Sequence, residues 1–207
     1  MISYIQSIIF SLISLVVIQT ETSKTLTEDA DYYSKEVCLN QEEAALFDEL
    51  NRYRLENGLP IIALSYSLTQ VAQLHCRDLA RHEPHKKKNC NLHSWTQNGP
   101  WSACCYSSDH KRAACMWNKP RELTLYPAEG YEIAFYSSFP YNNPHDYAMD
   151  AISNWSQSHG HNNVMINRLN WENLQWMAMG VGFYQGYSTI WLGTVPDPDT
   201  REISKCR

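Results

Sequence analysis

No lysine, arginine, aspartate or glutamate occurs before Glu21, and the stretch from Ile5 to Ile18 is apolar except for Gln6 and small hydroxyl residues. It is shorter than the roughly 20 residues needed to cross hydrocarbon, and Gln19, Thr20, Glu21, Thr22 and Ser23 follow without a basic stop-transfer flank. A retained membrane span is therefore set aside. Residues 1–20 read as a signal peptide, with cleavage expected between Gln19 and Lys24. Positive charge is also scarce, since 17 Lys and Arg stand against 22 Asp and Glu, a formal net charge of −5. That balance argues against a nucleic-acid partner. The one basic cluster, Arg81, Lys86, Lys87 and Lys88, lacks the interleaved aromatics of single-strand binders and reads as a solvated loop. No repeat or low-complexity tract, no Gly-x-Ser-x-Gly elbow and no His-Glu-x-x-His helix is present, so the usual serine-hydrolase and zinc-protease signatures are missing.

Seven cysteines are present. In an exported chain they read as a disulfide framework rather than as thiolate zinc ligands, because the export pathway is oxidising. Cys90, Cys104, Cys105 and Cys115 crowd one segment, while Cys38 and Cys206 stand at the two ends of the mature domain. Two local bridges and an end-to-end clasp are expected. Cys76 would then be unpaired on an apolar helical face, with a Cys76–Cys90 bridge as the alternative. Asn154-Trp155-Ser156 is an N-glycosylation acceptor triplet whose use requires Asn154 to face solvent.

Asn40 with Glu43 spells a capping box, and Leu46, Phe47, Leu50 and Tyr53 then fall on one helical face until Gly58 and Pro60 end the helix. Ser67 with Gln70 repeats the start signal. Leu68, Val71, Ala72, His75, Cys76 and Leu79 recur at helical spacing until Pro84. Residues 90–127 read as a stapled, cysteine-rich loop insertion. A third helix is expected with Asn143 as cap, Pro144 in its first position, and Tyr147, Ala148, Ala151 and Trp155 inward, stopping near Gly160. A strand near Glu132 to Tyr136 and a terminal hairpin turning at Gln185-Gly186 complete the list. Residues 21–207 thus form one α+β domain, helices layered around a small antiparallel sheet.

Several of these pieces, taken in order, resemble one family. Phe47 to Arg54 (FDELNRYR), Asn57-Gly58-Leu59-Pro60, Leu92-His93-Ser94, Gly130-Tyr131-Glu132-Ile133-Ala134, Trp155 with Ser158-His159-Gly160-His161, and Met179-Gly180-Val181-Gly182 are similar to the CAP superfamily of cysteine-rich secretory, antigen-five and pathogenesis-related proteins. The resemblance spans nearly the whole mature chain. It implies a three-layer α-β-α sandwich, secretion, a monomer, and a central cleft in which His93 and His161 stand with Glu132. The tyrosine after Gly130 displaces the acid by one position from the family's Gly-Glu-Asn, and one residue on a strand changes the face, so Glu129 is the fallback. Where animal members carry a second acid, this chain has Ser158.

Two imidazoles converging with a carboxylate suit a weakly held divalent cation such as zinc, with His93 and His161 as ligands and Glu132 as ligand or orienting group. His159 could share their face if the segment is extended. A hydrolase would need Ser94 or Ser158 beside one of the histidines. The competing expectation is a binding module for a lipid, a sterol or an extracellular protein, with Tyr126, Tyr131, Tyr136, Phe139 and Tyr141 lining its groove. A non-enzymatic binding role is the preferred reading and a metal- or serine-dependent hydrolase the alternative.

Overall fold

A computed structural model describes residues 36–206, so the expected signal peptide lies outside the described residues. Helix α1 (Gln41–Glu56) begins as its sequence predicts. The Asn40 side chain accepts from the Glu43 amide at 2.8 Å while the Glu43 carboxylate accepts from the Asn40 amide at 2.9 Å. Each orphan donor of the first turn is met by the other residue's side chain. Helix α2 (Tyr66–His82) departs from expectation, because Ser65 and not Ser67 is its cap, accepting from Leu68 N at 3.0 Å. The Ser67 hydroxyl instead donates to Asp197 at 2.8 Å, a partner 130 residues distant. No local pattern could have announced that partner.

Three strands form the central sheet in the order β2 (Gly130–Tyr136), β4 (Tyr187–Gly193), β3 (Ala178–Tyr184), all antiparallel. The β3–β4 hairpin turns at Gln185 and Gly186, whose φ values of 48° and 82° lie in the left-handed region that a tight turn requires. On one face of the sheet, Gly180 and Gly182 lie against α2 so closely that a Cβ there would meet the Leu68 and Ala72 carbonyl carbons at 2.0 and 2.4 Å. Only glycine allows that approach. On the other face, Met179, Val181 and Ile190 pack with Leu46 and Leu50 of α1 and with Ala151 and Trp155 of α5 (Pro144–Gln157). Helix, sheet and helices make the α+β, three-layer α-β-α arrangement.

Residues 90–127 are more ordered than a stapled loop. Two short helices lie within them, α3 (Ala114–Trp117) and α4 (Lys119–Leu123). Bridges Cys90–Cys105 and Cys104–Cys115 hold the segment, and Cys38–Cys206 clasps the ends where β1 (Cys38–Leu39) pairs in parallel with β5 (Ser204–Lys205). Cys76 is free and buried, which closes the Cys76–Cys90 alternative. Lys119, fully buried, anchors the segment: its ammonium donates to Glu122 at 2.6 Å and stands 5.4 Å over the Trp95 ring. Helix α5 starts from Asn143 as expected and stops at Gln157, and a further helix, α6 (His159–Met165), follows at once. The extended segment expected around His159 and His161 is therefore a helical turn. Among the described residues no helix is long and apolar enough to cross a membrane.

Candidate ligand-binding cleft

Strand parity decides where Glu132 points. Glu132 lies opposite Trp191 in the β2–β4 register, on the same face as Gly180 and therefore toward α2, with no bulge between Gly130 and Tyr136. Its carboxylate is wholly buried. One oxygen, Oε1, accepts from His93 Nδ1 at 2.7 Å, and the other meets His75 Nδ1. Glu129 is elsewhere: it takes a hydrogen bond from Arg121 at 3.0 Å on the surface, so the fallback residue is not part of the cluster. The Tyr131 side chain occupies the opposite parity, among Trp117, Trp171 and Trp176.

His75 is the residue that sequence reasoning passed over. Its place in the run Leu68, Val71, Ala72, Cys76, Leu79 makes it look like one more core position, yet a buried imidazole needs partners for both nitrogens. Nε2 donates to the Ser94 carbonyl at 3.0 Å and the ring stacks on Trp95, with centroids 4.2 Å apart. Since Nε2 donates to a carbonyl, Nδ1 meets the carboxylate either as a second donor or as an acceptor from a protonated acid. Burial pushes the Glu132 carboxyl up, but the facing His75 and His93 outweigh it and hold it below the usual carboxylate range. Both nitrogens of His75 thus face oxygen acceptors, the Ser94 carbonyl and the Glu132 carboxylate.

His93, Glu132, Ser158 and His161 line one cleft of about 780 Å³. His93 comes from the loop after α2, Glu132 from β2, and Ser158 and His161 from the start of α6, so three separated segments meet there. Burial, helped by repulsion from His93, pushes the His161 imidazole down to about 4, leaving it neutral at physiological pH. His159 also lines the cleft, but it is exposed and its Nδ1 bonds the Asn163 amide at 3.3 Å. Ser94 is fully buried and its hydroxyl accepts from the Asn91 and Tyr106 amides at 3.2 and 2.9 Å. It caps backbone rather than facing the cleft. The far wall is apolar, made by Met116, Trp117, Tyr131, Trp171 and Leu174.

The five tyrosine and phenylalanine candidates do not share one groove. Tyr126 is core, 1% exposed, with its hydroxyl donating to Val195 O at 2.6 Å. Tyr131 belongs to the histidine cleft, and Tyr136, Phe139 and Tyr141 line a separate hollow of about 500 Å³ beside the N-termini of α1 and α5.

A divalent cation at His93 and His161 would find few donors. Glu132 spends both oxygens on imidazoles and so orients His93 from behind. Two imidazoles remain where a catalytic zinc site uses three protein ligands. Among the described residues no group of three or more His, Cys, Asp or Glu side chains could hold a metal ion. The residues present do not fit a three-ligand zinc site.

No protein-family model matches this chain, and no curated protein matches it. Among solved structures the chain is similar to an extracellular protein containing a SCP domain from Bacillus anthracis str. Ames, with 18% identity and a TM-score of 0.47 over 73% of this chain. It is also similar to a cysteine-rich secretory protein from Staphylococcus aureus subsp. aureus Mu50, with 14% identity and a TM-score of 0.46 over 74% of this chain. The chain spans 39% and 38% of the lengths of those two proteins.

Proposed function

We propose that this chain is a secreted CAP-type binding module whose histidine cleft takes an amphiphilic ligand, its apolar body along the Trp117, Tyr131, Trp171 and Leu174 wall and its polar head at His93 and His161. The observation that carries the reading is the union of an aromatic wall and two imidazoles in one 780 Å³ cleft, a size in the usual range for small-molecule sites. A catalytic reading has one observation behind it: Glu132 orients His93 much as a carboxylate orients a general base. It lacks a nucleophile, since Ser94 is committed to backbone amides and, among the described residues, the Ser158 hydroxyl has no hydrogen bond to either imidazole. Binding without turnover is the better reading.

The test is a titration of the purified protein with labelled cholesterol and, separately, labelled palmitate. Saturable one-to-one binding of either is expected, lost in Leu174→Asp. Absence of saturable binding by both, or binding that Leu174→Asp leaves unchanged, would overturn the proposal.

A further inference from the structure

The hollow of about 500 Å³ beside the N-termini of α1 and α5 has a lining of a different kind from the histidine cleft. Five aromatic rings line it, with Glu42 and no lysine, arginine or histidine. Phe139 meets Tyr141 with ring centroids 5.1 Å apart at 71°, Tyr141 meets Tyr147 at 5.2 Å and 85°, and Tyr147 meets Phe183 at 4.8 Å and 75°. Rings set nearly at right angles present their π-faces in different directions, as the walls of a box do. They are not all core, since Phe139 is 67% exposed and Tyr136 47%. A second carboxylate stands behind Tyr141, whose hydroxyl is shared between Asp150 of α5 and Ser137 Oγ, the latter at 2.9 Å. Glu42 is half-buried, and among the described residues its carboxylate has no hydrogen-bond or ion-pair partner.

We propose that this hollow binds a small alkylated ammonium ion, held against the rings of Tyr136, Phe139 and Tyr141 with Glu42 as its counter-charge. The face of an aromatic ring is negative and attracts a cation, and several rings around one quaternary ammonium are a recurrent solution for a cation that has no N–H to donate. An anion would lack donors here although two helices begin beside it. The Asn40 and Asn143 side chains already accept from the first-turn amides of Glu43 and Asp146 at 2.8 and 2.9 Å, and Pro144 has no N–H to offer. A wholly apolar ligand would cover the Glu42 carboxylate without supplying a partner, which is costly. The hollow shares no lining residue with the histidine cleft, so the proposal stands whether or not that cleft takes an amphiphile.

The experiment adds choline and its neutral isostere 3,3-dimethyl-1-butanol, separately, to protein carrying ¹³C-labelled tyrosine, with the ring resonances of Tyr136 and Tyr141 as readout. Choline should saturate their shifts at a concentration roughly tenfold or more below that of the alcohol. Glu42→Gln and Phe139→Leu, neither of them a core position, should each weaken choline by roughly threefold or more and leave the alcohol unchanged. Phosphatidylcholine vesicles are offered in a parallel sedimentation assay. Capture that both variants weaken identifies the ammonium as a lipid head group, and choline binding without capture identifies a free ion. Equal affinity for choline and the alcohol, sodium phosphate shifting the rings at lower concentration than choline, or choline binding that neither variant weakens would overturn the proposal. So would silence of both rings to choline together with no capture by vesicles.

Discussion

His75→Leu is the substitution that most directly interrogates the buried network. Both side chains of the His75–Glu132 pair are 0% exposed, whereas His93 keeps 16% and can turn to water. Removing one partner of a buried pair leaves the other charge uncompensated and typically costs about 3–5 kcal/mol. His75→Leu and Glu132→Leu should each lose about that much. The double variant should not lose the sum, because apolar replacement of both partners leaves no buried charge. What remains is the Ser94 carbonyl without its donor, worth about 1–3 kcal/mol. With a urea slope of about 2 kcal/mol per molar, the single variants should move the unfolding midpoint down by about 2 M and the double by about 1 M. Equilibrium urea unfolding with the disulfides intact, followed by tryptophan fluorescence and far-UV dichroism, gives the full cycle. Additive losses in the double variant, or single variants within about 0.5 kcal/mol of the parent, would refute the claim that these two groups form one coupled buried pair.

Two other expectations follow from side chains outside the cleft. Burial pushes the Glu43 carboxyl up to about 7 against the amides of Asn40, Phe183 and Gln73 that oppose the rise. A raised carboxyl favours the folded state when protonated, so its contribution is present below about 4.5 and is lost as pH rises through about 7. Thermal melts between pH 4.5 and 8 should show that decline, and Glu43→Gln should flatten it; an identical pH slope in the variant would contradict the assignment. Asn154 is exposed on α5 while Trp155 beside it is 1% exposed, so the acceptor triplet presents its asparagine outward. Protein secreted from a glycosylating host should lose one glycan's mass on amidase treatment, and Asn154→Gln should not; equal masses before and after treatment of the parent would count against use of the site.

Local chemistry made much of the scaffold legible. The Asn40–Glu43 box, Asn143 with Pro144, and the Gln185–Gly186 turn are each settled within a few residues, by orphan amides or by backbone sterics, and each formed as read. The resemblance also led to His93, Glu132, Ser158 and His161, which the fold brings to one cleft. Less legible were the start of α2, taken over by Asp197, and the helical turn at His159 to Met165, where the sequence suggested extension.

Sequence alone determined the caps at Asn40 and Asn143, the Gln185–Gly186 turn, the crowding of four cysteines in one insertion and the strand alternation that sends Glu132 to the face opposite Tyr131, because these depend on neighbours a few bonds away. Tertiary structure alone decided that both oxygens of Glu132 are taken, one by a histidine 57 residues earlier in the chain. It also decided that Ser94 caps backbone instead of facing a ligand and that Tyr126 is core rather than groove. The reason is that hydrogen-bond demand in a dry interior is met by whichever donor or acceptor the packing brings within reach, and that choice is made between layers, not along the chain.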